Sequence, residues 1–236
     1  MRKDGMLLFI NVALGLCLGA GVATFVNQAL TNTKNQIYFN FQDTKFILLL
    51  FLFMIYFFNL IRTFLGFVKF YQDESLYDSD YEKIVSREKL CIVRLIDFLA
   101  MMFIVVTLVF QGLIIHLYAT FAWVFLISSV LFVIRNGILT IAFDKLEKSS
   151  DILESQFDKI EIKGRSKVVK KWFLLDTLFL FPSILLLFGV RPTVTNQQLF
   201  FGFSAAILLF ITWLDIWGAK NYYFGSAFDA GQQKNN

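Results

Sequence analysis

The chain is poor in the residues on which most soluble chemistry depends. Its 236 residues include one histidine, two cysteines and two prolines. With His116 alone, no HExxH motif and no multi-histidine metal centre can form. Cys17 falls inside an apolar run and Cys91 just before a later one. Their depths differ too much for a disulfide, so both are expected as free thiols. Charged residues make up only 17%, against about 25% in a typical soluble domain. The sequence has no GxxxxGK[ST] loop and no GxGxxG turn, and Ser128-Ser129 has no histidine at a matching depth. These gaps remove nucleotide binding and the familiar catalytic sets, so no catalytic residue, cofactor or metal is expected and enzyme activity is not the favoured reading.

What the chain has in abundance is apolar length. Hydrophobic residues make up 57%, and phenylalanine alone contributes 30. Mean hydropathy is +0.64. Several runs reach the roughly 20 residues needed to cross a bilayer. The composition excludes a soluble globule, a disordered chain and a disulfide scaffold. It predicts an all-α, polytopic integral membrane protein in which residues 1–236 form a single transmembrane bundle domain.

Six spans are expected, near Met6–Val26, Phe46–Phe70, Leu95–Leu117, Phe121–Phe143, Trp172–Val190 and Leu199–Ala219. The apolar stretch Leu95–Phe143 is too long for one crossing. It must turn back near His116–Thr120, although no Gly or Pro marks the place. The spans pair as three helical hairpins. Orientation follows the basic residues. Of the 22 Lys and Arg, all but Lys34, Lys45, Arg191 and the intraspan Arg62 and Arg135 fall on one side. Both termini are therefore expected in the cytoplasm of a cell-membrane protein. Its formal charge of +4 then reflects loops, not nucleic-acid binding. The start also resembles a signal peptide, with Arg2, Lys3, an apolar run and Gly21-Val22-Ala23. Cleavage there would leave five spans.

Two cytoplasmic segments link the hairpins, 71–94 and 144–171. The first mixes acids with Tyr71, Tyr77 and Tyr81. The second is expected to hold a short helix that starts near Asp151 and ends at Gly164, lying on the membrane or under the bundle. Its Lys163, Arg165, Lys167, Lys170 and Lys171 are candidates for anionic lipid headgroups, with topology-setting charge as the plainer reading. Either segment could also engage a cytoplasmic protein.

The candidate site is a sparse polar layer inside the spans: Asn11, Asn59, Arg62, Asp97, Arg135, Asn136, Asp176 and Asp215. Polar residues recur near the same end of each hairpin, with 38 residues from Asp97 to Arg135 and 39 from Asp176 to Asp215, a spacing that suggests a degenerate repeat. Counted along the helices, the charged members lie at one depth. A mid-membrane charge costs about 2.5–3.5 kcal/mol on insertion scales, so each carboxylate needs a partner or a wet cavity. Two Arg and three Asp leave one carboxylate over if they pair one to one. The layer reads either as a register-fixing network or as a polar vestibule.

Two further features stand apart from the layer. On the first span, Asn11, Gly15, Gly19, Ala23 and Asn27 recur every four residues, a GxxxG-bearing stripe suited to close helix packing. It serves either the monomer or a homo-oligomer. Pro182 should kink the fifth span. Gln111 and His116 lie toward the end of the third span remote from the layer.

The favoured function is a small transporter or channel that uses the polar layer, in contact with the lipid bilayer. The alternative is a non-catalytic sensor or scaffold subunit that assembles through the stripe and recruits a partner through its loops. An enzyme acting on membrane lipid is the weakest reading.

Overall fold

A computed structural model of the chain describes residues 3–31, 44–72, 87–149, 156–190 and 197–218. All of them are helical or in tight turns. The six helices are α1 (Lys3–Thr31), α2 (Thr44–Gln72), α3 (Arg87–Leu113), α4 (Tyr118–Ser149), α5 (Gln156–Gly189) and α6 (Gln197–Gly218). Each carries a stretch of 21 to 28 residues long and apolar enough to cross a membrane. In lipid every backbone N–H and C=O must be satisfied within the segment, and a helix does this residue by residue.

The apolar stretch turns back between α3 and α4, slightly earlier than the sequence suggests. α3 ends at Leu113 and α4 begins at Tyr118. The turn needs no Gly or Pro because backbone bonds close it: the Ile114 N–H donates to the Phe110 carbonyl at 3.0 Å and the Leu117 N–H to that of Ile114 at 2.7 Å. Ile114 and Ile115 turn inward and are buried, which offsets the loss of regular helix.

The expected separate helix between Asp151 and Gly164 takes another form. α5 runs unbroken from Gln156 through Gly164 to Gly189. An interior glycine costs about 1 kcal/mol relative to alanine, too little to stop a 34-residue helix that packs along α4. At 1.5 Å per residue, α4 and α5 are roughly 50 Å long and project about 20 Å beyond a 30 Å hydrocarbon core. Lys170 of α5 holds Asp144 of α4 at 2.6 Å on this projection. We refer to it as the basic end. Residues 150–155 lie outside the described residues, as do 73–86. α3 takes in the last residues of the 71–94 segment.

The principal helix contacts close a ring in the order α1, α2, α6, α5, α4, α3, with α2 and α3 also touching across it. Leu52, Ile55, Met101, Ile104, Phe121, Phe125, Phe179 and Phe201 fill the interior and are almost wholly buried. The outer surface is equally apolar, with Phe103, Trp123, Leu174, Phe181, Phe203 and Trp213 among its exposed side chains. Water would penalise such a surface, whereas hydrocarbon does not.

Where α1, α2 and α3 meet, Tyr56 on α2 donates a hydrogen bond to the Cys17 carbonyl on α1. A Cβ at Gly21 would collide with the Tyr56 ring, and one at Gly112 would lie 2.9 Å from its hydroxyl and 3.0 Å from the Gly21 nitrogen. Only glycine admits this approach. The stripe residues face elsewhere. Asn11, Gly15, Gly19 and Ala23 are exposed, and a Cβ at Gly15 or Gly19 would meet nothing within 4 Å among the described residues.

Candidate functional site

Five helices of the ring each bring a polar side chain to one level. Asn59 and Arg62 come from α2, Asp97 from α3, Arg135 and Asn136 from α4, Asp176 from α5 and Asp215 from α6. All seven are at most 6% exposed. The level lies close to the basic end. Arg62 and Asp215 are each 18 residues from the start of their helices, about 27 Å at 1.5 Å per residue. Asn11 is the exception among the expected members: it is exposed on α1, and α1 supplies nothing to the layer.

The pairing differs from one acid per base. Arg62 takes two carboxylates. Its terminal Nη2 pairs with Asp176 Oδ1, and its Nε donates to Asp215 Oδ2 at 3.1 Å. A guanidinium presents several donors in a fixed planar fork, so two acceptors on different helices can be held at once. Arg135 pairs through Nε with Asp97 Oδ1 at 2.8 Å, and its Nη1 donates to Asn136 Oδ1 at 3.2 Å. Asn136 in turn donates through Nδ2 to Asp176. The two groups thus join into one network running α3–α4–α5–α2–α6, and no carboxylate is left over.

Aromatic faces complete the cradle. The Arg62 guanidinium lies 4.7 Å from the centre of the Phe179 ring. That of Arg135 lies 4.8 Å from Phe67 and 5.3 Å from Phe70. Stacking of this kind favours a desolvated cation and occupies the guanidinium faces, leaving its edges for the carboxylates.

Among these five side chains, two guanidiniums face three carboxylates, and Arg62 serves two of the acids. The Lys171 ammonium also acts on Asp215. A cleft adjoins both guanidiniums, lined by Arg62, Thr63, Phe132, Arg135, Asn136, Asp176 and Asp215, with Gly66, Phe67 and Trp172 on its basic-end side. Its free volume is about 30 Å³, room for one or two water molecules and far below the roughly 300 Å³ of a small-molecule pocket.

A second polar level is not apparent from the charged residues. Ser129 and Ser183 share a hydrogen bond at 2.8 Å between α4 and α5. Ser204 of α6 donates to the Pro182 carbonyl at 3.3 Å, beside the proline inside α5. Single serines in apolar runs give a weak signal. The clue lies in their spacing, because Ser129 and Ser183 stand seven residues from Asn136 and Asp176.

The basic residues of the 144–171 segment separate. Lys167 is exposed and Lys171 half-buried. Lys170 is engaged with Asp144 and, at 3.8 Å, with Glu147. The side chains of Lys163 and Arg165 lie outside the described residues.

The six spanning helices and their apolar exterior define the class: the chain is a multi-pass α-helical membrane protein. The chain matches no protein-family model, no curated protein and no solved structure.

Proposed function

We propose that the chain is a small transporter that moves protons, with the Arg62–Asp176–Asp215 group as its binding site. The observation that carries this reading is one guanidinium shared by two buried carboxylates beside a water-sized cleft. A proton is the ligand of matching size and charge. An organic solute does not fit about 30 Å³. A metal cation would compete with Arg62 for the same oxygens, and among the described residues no three His, Cys, Asp or Glu are grouped to hold one. One carboxyl oxygen of Asp176 or Asp215 takes the proton, its ion pair with Arg62 weakens, and the other carboxylate keeps the guanidinium. In this reading the helices form three hairpins, both termini and the basic end are cytoplasmic, the membrane is the cell membrane, and the lysines of the basic end meet anionic headgroups.

The test is proton flux in liposomes holding the purified full-length chain, followed with a trapped pH dye under a potassium-diffusion potential. Flux above that of empty liposomes is expected, and Asp215→Asn should reduce it at least tenfold. Wild-type flux equal to that of empty liposomes would sink the reading.

A second reading is favoured by α1. Its span is 22% buried, as is that of α3, but it alone of the two turns glycines outward, Gly15 and Gly19, as a helix does when a further helix is to pack on it. The chain would then act as a scaffold or sensor subunit, assembling through α1 into a homo-oligomer and engaging a cytoplasmic protein through its loops.

A further inference from the structure

Buried polar groups continue from the charged layer toward the opposite end of the bundle, each on the helix face that presents a charged residue. Asn59 and Thr212 stand three residues before Arg62 and Asp215, one turn outward on α2 and α6. Ser128 and Ser129 stand seven before Arg135 and Asn136, and Ser183 stands seven after Asp176. Gln111 stands fourteen after Asp97. Spacings of three, seven and fourteen return a side chain close to the same face of a helix. The successive levels are therefore about 4.5, 10.5 and 21 Å from the charged layer.

Burial on these faces is close to complete. Gln111 and Ser128 are 0% exposed, Asn59 2% and Thr212 6%. Asn59 Oδ1, Thr212 Oγ1, Ser128 Oγ and both amide atoms of Gln111 have no hydrogen-bond partner among the described residues. Beyond Gln111, the buried Nδ1 of His116 is in the same condition. Buried polar atoms in proteins are nearly always satisfied, by protein or by water. They stand at successive levels between the apolar side chains of the core, and each is a group that a water molecule would satisfy.

We propose that these groups form a proton relay, bridged by water molecules, between the charged layer and the end of the bundle at Gln111. It rests on the function proposed above and gives that site its second access. The cleft at Trp172 serves the basic end, and the relay serves the other. Ser128 and Thr212 pass a proton by accepting one on the hydroxyl oxygen while releasing their own to the next water. Asn59 and Gln111 do not carry the proton. They hold water in register, donating through NH₂ and accepting through the carbonyl. At each step one O–H bond forms and one breaks, and the step from the last water to Asp215 neutralises its carboxylate. No helix is polar along its length, because α2, α3, α4 and α6 each contribute a single rung.

Two measurements on the full-length chain in lipid test it. The first is hydrogen–deuterium exchange of the Gln111 side-chain amide by NMR in nanodiscs. Exchange within minutes is expected, whereas protection for days would overturn the relay, whatever flux is found. The second is the liposome flux assay with Gln111→Met and Ser128→Ala. Each should lower proton flux at least tenfold, and Gln111→Asn should restore much of it. Ser128→Ala removes one hydroxyl and keeps the fold testable if Gln111→Met does not assemble. Wild-type flux retained in both variants would overturn the relay and leave the charged-layer reading standing. Absent wild-type flux would overturn the charged-layer reading, and with it the relay's role as a proton route.

Discussion

Arg62 is the residue on which the site turns, because its guanidinium joins α2 to both α5 and α6. Replacing it with methionine keeps most of the volume but leaves two buried carboxylates without their cation. Removing one partner of a buried ion pair typically costs about 3–5 kcal/mol. Asp215→Asn is a different change. It removes one carboxylate charge, and Arg62 keeps Asp176. The loss should be about 1–3 kcal/mol, the range for one hydrogen bond to a charged group. Unfolding midpoints in a detergent titration give the comparison, and equal losses from the two variants would mean that Arg62 is not the shared cation. The charged members of this layer were legible in the sequence, because a charge inside an apolar run is conspicuous. Their pairing was not, because it depends on which helices are neighbours in the ring. A base that serves two acids cannot be inferred from counting. The relay groups were harder still, since Ser128, Thr212 and Gln111 are uncharged and lie on three different helices. Their spacing of three, seven or fourteen residues from a charged position was the one available signal.

At the scale of the element, hydrophobicity located the helices but did not orient them. The expected spans fall within a few residues of the observed ones, since length and apolarity alone decide what crosses a bilayer. Facing is another matter. Lipid and core are equally apolar here, so the apolar positions of α1 do not say which side is packed. The every-fourth-residue stripe suggested a packing face, yet Gly15 and Gly19 border open space, and the tight approach runs through Gly21 against Tyr56 and Gly112. The two kinds of glycine make opposite predictions. Gly21→Ala forces its methyl into the Tyr56 ring and should cost about 1–3 kcal/mol, as overpacking does. Gly15→Leu should leave the stability of the single chain unchanged. If the second reading of function holds, it should instead abolish cross-linking between copies in the membrane. Thermal unfolding in mild detergent checks the first. A cysteine cross-link on the outer face of α1, with and without Gly15→Leu, checks the second, and undiminished cross-linking would remove the stripe from any oligomer.

For the whole molecule, the ring gives the site its asymmetry. The charged layer lies about 27 Å along α2 and α6 from their starts, so a crossing from the Gln111 end is long and a crossing from the basic end is short. Orientation therefore decides which compartment has ready access to Asp215. α4 and α5 project beyond the bilayer at the basic end and carry Lys145, Lys148, Lys167, Lys170 and Lys171. Translocating such a cluster is disfavoured, and the bias in short loops sets topology. The basic end should accordingly face the cytoplasm, and the short access should open there. Single cysteines at Lys167 and Thr120, both exposed, separate the alternatives. A membrane-impermeant maleimide added to intact cells should label the Thr120→Cys variant and spare Lys167→Cys until the cells are opened. The reverse pattern would invert the molecule. In the proposed function Asp215 would then take its protons through the short cleft from outside, and the proposed relay would lead inward. Flux in oriented vesicles would follow the same inversion, because the side on which Asp215 equilibrates fastest is set by the ring and not by the residues of the site.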